Sequence, residues 1–95
     1  MTSENLKKLG IVLPSAPDPV GAYVAYKISG NFLYISGQLP ISADGKIIKG
    51  KIGKDLNIED GKIAAKLCVI NILAQAKEAL DGNLDKIKNC VKITG

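Results

Sequence analysis

Residues 21–40, GAYVAYKISGNFLYISGQLP, constrain the fold more than any other stretch of this chain. Two runs rich in Val, Ile, Tyr and Phe, 22–29 and 32–36, flank Gly30-Asn31, a pair suited to a two-residue turn. The pattern predicts one β-hairpin that ends in Ser36-Gly37-Gln38. Pro40 stops it, because proline cannot donate to a ladder. Tyr23 lies near the start of the first run and Ser36 at the end of the second, so both belong to the same end of the hairpin. A phenol, a hydroxyl and the Gly37 amide gathered there form a candidate small-molecule site. Val24, Tyr26 and Ile28 alternate with Tyr23 and Ala25, so both faces are apolar and each needs cover.

The flanking segments read as follows. Residues 3–9, SENLKKL, predict a short helix with Ser3 as N-cap and Gly10 as the C′ residue. Three of the four prolines fall in 11–20, an extended connector that cannot sit inside a central strand. Asp44-Gly45 marks a second turn, and 46–49, KIIK, a short strand. A long helix is expected over 58–81, opened by Asn57 as N-cap with Glu59 and Asp60 in its first turn, and followed by Gly82 as C′. Asn83 to Lys86 form a turn, and 87–94, IKNCVKIT, alternate as a strand.

At 100° per residue the long helix carries two apolar arcs. Cys68, Ile72, Ala65, Ala76, Val69, Leu73 and Leu80 make one; Ile63, Leu67, Ile70 and Ala74 make the other. Lys66 and Lys77 separate them on one side, and Asn71, Gln75 and Glu78 on the other. A surface helix buries a single stripe, so one arc is expected on the sheet and the second against a further partner. The strand at 87–94 would likewise be an unprotected edge without a neighbour. A C-terminal continuation or another subunit is the expectation from both features.

Composition narrows the chemistry. A length of 95 residues allows one domain with a marginal core of its own, which favours oligomerisation. The chain is 46% hydrophobic but only 4% aromatic, without Trp, so the core must come from Ile, Leu, Val and Ala. All 13 basic residues are lysine, spread along the chain, and the net charge is +4. Without histidine the commonest general base and metal ligand are missing, and without arginine the bidentate fork for carboxylates and phosphates is missing. Dispersed lysines make a solvated surface, and nucleic-acid binding gains little support from them. Gly50-x-x-Gly53-Lys54 lacks the full phosphate-loop pattern and reads as a basic turn. Cys68 and Cys90 have no metal spacing and are expected as two buried, reduced thiols. No run approaches the roughly 20 apolar residues of a membrane span and no leader-like segment is visible, so a cytoplasmic protein is expected.

The order hairpin, short strand, long helix, strand resembles the RidA/YjgF family, also described as L-PSP-type endoribonucleases. The carrying pieces are Gly-x-Tyr at 21–23, Ser-Gly-Gln-x-Pro at 36–40, Asn71 in the helix, and Leu84-Asp85-x-Ile87 leading into VKITG at 91–95. Residues 9–14, a Leu-Gly-Ile-x-Leu-Pro segment after a short helix, point to one branch. The resemblance implies an α+β, chorismate-mutase-like domain with a mixed sheet and a long helix on one face, spanning 1–95 and incomplete at its C-terminus. It implies a homotrimer with ligand clefts between subunits. The implied reaction, which needs no metal or cofactor, hydrolyses enamines and imines such as 2-aminoacrylate to 2-oxo acids and ammonia. Tyr23 and Ser36 match the family's cleft tyrosine and serine, and Gly37 the glycine whose amide faces the ligand. Tyr23 would orient water or substrate, and Ser36 with the Gly37 N–H would fix a carboxylate. The family's carboxylate-gripping arginine and water-activating glutamate come later than residue 95, and lysine substitutes poorly for such a fork. The expectation is therefore that these 95 residues alone do not catalyse the deamination. The alternative is a non-catalytic trimeric small-molecule binder. A nuclease finds no histidine, no metal-spaced carboxylates and no aromatic platform.

Overall fold

A computed structural model describes residues 2–19 and 21–95. The elements run α1 (Thr2–Lys8), β1 (Tyr26–Ser29), β2 (Phe32–Ile35), α2 (Ile58–Ala79) and a 3₁₀ turn at Leu84–Lys86. The hairpin forms as its sequence dictates. Ser29 pairs with Phe32 across Gly30-Asn31, and Gly30 takes φ +58°, the positive first turn position that matches strand twist. Strand β1 starts at Tyr26 rather than at residue 22. Residues 22–25 turn before pairing: the Tyr23 N–H donates to the Gly21 carbonyl at 3.0 Å, and only the Ser36 N–H bond to Ala25, also 3.0 Å, continues the ladder. Within the described residues the sheet is two-stranded and antiparallel, not the mixed sheet expected.

Helix α2 packs across this hairpin. Tyr26, Leu33 and Ile35 share one half-buried face toward it, while Phe32 and Tyr34 on the other face stay exposed and lie with ring centroids 6.4 Å apart. Asn57 caps α2 through a reciprocal capping box: its side chain accepts from the Asp60 N–H at 2.8 Å, and the Asp60 carboxylate accepts from the Asn57 N–H at 3.0 Å. The far end closes in a Schellman motif, with Gly82 N–H on the Lys77 carbonyl at 2.7 Å and Asp81 N–H on Glu78 at 3.3 Å. The C′ residue is thus Asp81, at φ +53°, one position before the expected Gly82.

The inward line of α2 falls between the two predicted arcs. Asn71 and Gln75, expected as separators, are 3% and 1% exposed, whereas Ile63 and Val69 are 53% and 45% exposed. The arcs flank this line: Leu67, Cys68 and Ile70 are half-buried and Ala74 is buried. Both buried amides bind segments that carry proline. Asn71 Nδ2 donates to the Leu39 and Ile41 carbonyls at 2.9 and 3.0 Å, and Gln75 Nε2 to the Pro17 carbonyl at 2.6 Å. Such segments cannot complete a ladder, so side-chain amides hold them instead.

Two expected strands are not formed. Residues 46–49 make only an isolated bridge, Ile41 with Ile47; the Ser42 N–H on the Lys46 carbonyl and the Ile48 N–H on the Pro40 carbonyl flank it at 2.8 and 3.2 Å, and Pro40 has no N–H to extend the ladder. Residues 87–94 are irregular and mostly exposed; a strand needs a hydrogen-bonded neighbour, and neither β1 nor β2 pairs there. Cys90, expected to be buried, is exposed with that segment, while Cys68 is half-buried. Val20, the end of the expected connector, lies outside the described residues.

Ser3 is not an N-cap but the ligand of a remote one. Its N–H donates to Asp85 Oδ1 at 3.0 Å, and its hydroxyl reaches both carboxylate oxygens at 2.9 and 2.7 Å. Asp85, 82 residues away, so places a carboxylate at the first turn of α1. The Ser3 N–H and then its hydroxyl hold the Asp85 carboxyl below the ordinary Asp value of 3.8. A depressed folded-state pKa favours the ionised fold, so this contribution is complete above that ordinary value and is lost as pH falls through the lower one. We expect hydrogen-exchange protection of the α1 amides to drop over that acid interval, and Asp85→Asn to abolish the pH dependence. Equal acid sensitivity in the variant would show that another group controls α1.

Candidate functional site

The hairpin end, the 17–19 connector and α2 meet around one small cavity. Tyr23, Gly37, Gln38 and Leu39 line it from the hairpin side, Pro17 from the connector, and Gln75 from the helix. Its volume is about 20 Å³, the space of a single water. Tyr23 is 46% exposed. Gly21 sits beneath its ring, so close that a Cβ there would come within 3.2 Å of Cε1. Gly37 faces open space, and its N–H takes no partner among the described residues.

Two of the three expected site residues, Tyr23 and Gly37, therefore share a cavity. Ser36 is at the same hairpin end but does not line it. Its hydroxyl donates to the Val24 carbonyl, and its own carbonyl accepts from Gln38 Nε2 at 3.0 Å. Ser36 thus fastens the strand end that presents Gly37. Among the described residues no lysine lines the cavity, and Asp18 is the one charged residue that does. No described residue on its walls would neutralise a bound carboxylate. Cys68 lies away from it, and burial raises its thiol pKa above the ordinary value, which disfavours the reactive thiolate.

Gln75 was missed by sequence reasoning. A polar residue between two apolar arcs reads as a separator, and only the position of Pro17 shows that the amide is needed inside. The Gly50-Gly53 turn closes on itself: the N–H groups of Lys54, Asp55 and Leu56 converge on the Lys51 carbonyl at 3.2, 2.9 and 3.0 Å. Its amides are consumed internally rather than offered to a phosphate.

Comparison with known proteins gives this arrangement its context. Residues 3–95 match the profile of the family described as YjgF/chorismate mutase-like, putative endoribonuclease. The chain belongs to that family. It is 42% identical over 89 residues to protein TCP17 of Trypanosoma cruzi, covering 94% of this chain and 55% of that one. The crystal structure of protein Atu1372 of Agrobacterium tumefaciens, of unknown function, superposes with a TM-score of 0.74 at 48% identity, over 88% of this chain and 50% of that one. A putative endoribonuclease of Shewanella oneidensis superposes with a TM-score of 0.76 at 34% identity, over 83% and 52%. The fold is thus α+β and chorismate-mutase-like, and the chain spans about half the length of these relatives. Among the described residues, no helix is long and apolar enough to cross a membrane.

Proposed function

We propose that residues 1–95 supply one wall of the ligand site in a cytoplasmic, homotrimeric deaminase that hydrolyses reactive enamines and imines, such as 2-aminoacrylate, to 2-oxo acids and ammonia. The observation that carries this reading is the convergence of Tyr23 and Gly37 on one cavity in a chain of this family. In this reading Tyr23 orients substrate or water, the Gly37 N–H meets the polar head of the ligand, and Ser36 fixes the strand end between them. A cavity of about 20 Å³ without a lysine accommodates neither an amino-acid-sized substrate nor its carboxylate. The remaining wall and the gripping cation then come from another subunit or from sequence beyond residue 95.

The test follows from that division. With 2-aminoacrylate generated in place by a lyase acting on serine, the 95-residue chain is expected to leave the rate of pyruvate appearance at its buffer value. A longer protein containing the rest of the domain is expected to accelerate it. Turnover by the 95 residues alone would refute the proposed division of the site. Binding of 2-oxobutyrate by the longer protein without turnover would establish the alternative, a binding protein of the same fold.

A further inference from the structure

Gln75 is the most deeply buried polar residue described, at 1% exposed. Its carboxamide is half used. Nε2 donates to the Pro17 carbonyl at 2.6 Å, and since a proline carbonyl can only accept, that bond fixes which way the amide faces. Oε1 is left buried with no hydrogen-bond partner. An orphaned buried acceptor costs about 1–3 kcal/mol, and native interiors rarely tolerate one that a ligand or water could satisfy. Gln75 is also one of the residues that line the cavity of about 20 Å³ shared by Tyr23 and Gly37. That volume exceeds the roughly 10–15 Å³ one water requires and falls far short of an organic ligand.

We propose that this cavity is a single-water site in which one buried water donates to Gln75 Oε1. The water completes the bonding of the only described buried side-chain nitrogen or oxygen left without a hydrogen-bond partner. It also forms the polar floor beneath Tyr23 and Gly37, a consequence that rests on the reading of those residues as a ligand wall. A ligand reaching the floor must present an N–H or O–H to replace this water, or bind above it. An acceptor-only or apolar group gains nothing by displacing it.

The wild-type chain serves for the test, so no variant needs to fold. In water-selective NMR, the buried Gln75 side-chain amide protons are expected to show a cross-relaxation peak to a long-lived water. A crystal structure is expected to show one water within about 2.7–3.2 Å of Oε1. A missing peak together with empty density at Oε1 would overturn the inference. The deaminase reading stands or falls separately. A bound water in a protein whose longer form lacks turnover would keep this inference and remove that reading, and turnover with a dry cavity would do the reverse.

Discussion

Asn71→Ala is expected to lower the unfolding free energy by about 2–3 kcal/mol, seen as a fall in the urea midpoint at unchanged slope. The Asn71 amide is 3% exposed, and both its hydrogens are committed, to the Leu39 and Ile41 carbonyls. Truncation removes both donors and leaves two part-buried carbonyls around Pro40 in competition for water that reaches them poorly. A chain of this length holds on the order of 5–14 kcal/mol in total, so the loss takes a large share. The conservative partner sharpens the test. Asn71→Asp keeps the shape but turns a carboxylate toward two carbonyl oxygens. It is expected to be at least as damaging at neutral pH, and partly relieved in acid, where a protonated carboxyl can donate one bond. An alanine variant within about 0.5 kcal/mol of wild type, the range of an ordinary surface substitution, would mean that α2 does not tether this segment.

What the sequence revealed and what it hid divide along physical lines. The hairpin turn and the start of α2 were legible because their determinants are local. Gly30 supplies the φ its turn requires, and Asn57 and Asp60 cap each other three residues apart. The α1 terminus was equally legible at Gly10, whose N–H bonds the Lys7 carbonyl at 3.1 Å. Periodicity failed in the middle of α2, because a hydrophobic count scores amides as solvent-facing. Asn71 and Gln75 are inside because proline-bearing segments lie across the helix, a fact about tertiary neighbours. Ser3 was misassigned for the same reason: its partner Asp85 is 82 residues distant. Residues 87–94 carry the alternation of a strand, but alternation states only what a strand would bury once a neighbour pairs with it. At the candidate site, Tyr23 and Gly37 could be placed together from the hairpin alone. The hydroxyl of Ser36, bound to the Val24 carbonyl, could not, because that bond depends on how residues 22–25 leave the ladder.

Gly50→Ala is the second large effect, and it tests the turn that delivers the chain to α2. Gly50 has φ +136°, a backbone region that side chains avoid and that costs of order 1–3 kcal/mol when forced. An added Cβ would also lie 2.9 Å from Asp55 Cβ and 3.2 Å from Leu56 Cγ. Neither is the free end of a flexible side chain. Asp55 is held where it is because its carboxylate accepts from the Lys51 N–H at 3.1 Å, while its own N–H binds the Lys51 carbonyl. Moving it aside breaks the clasp that closes residues 51–56, directly before the Asn57 cap. Gly45 provides the control, because its φ is +86° and a Cβ there meets nothing within 4 Å. Alanine at 45 should cost about 1 kcal/mol from backbone strain alone. At 50, strain and steric overlap act together, and overpacking adds about 1–3 kcal/mol. The expected order in urea unfolding is therefore wild type, Gly45→Ala, then Gly50→Ala, with the last lower by at least about 1 kcal/mol. Equal losses at the two sites would show that Asp55 yields freely and that the 51–56 clasp does not position the start of α2.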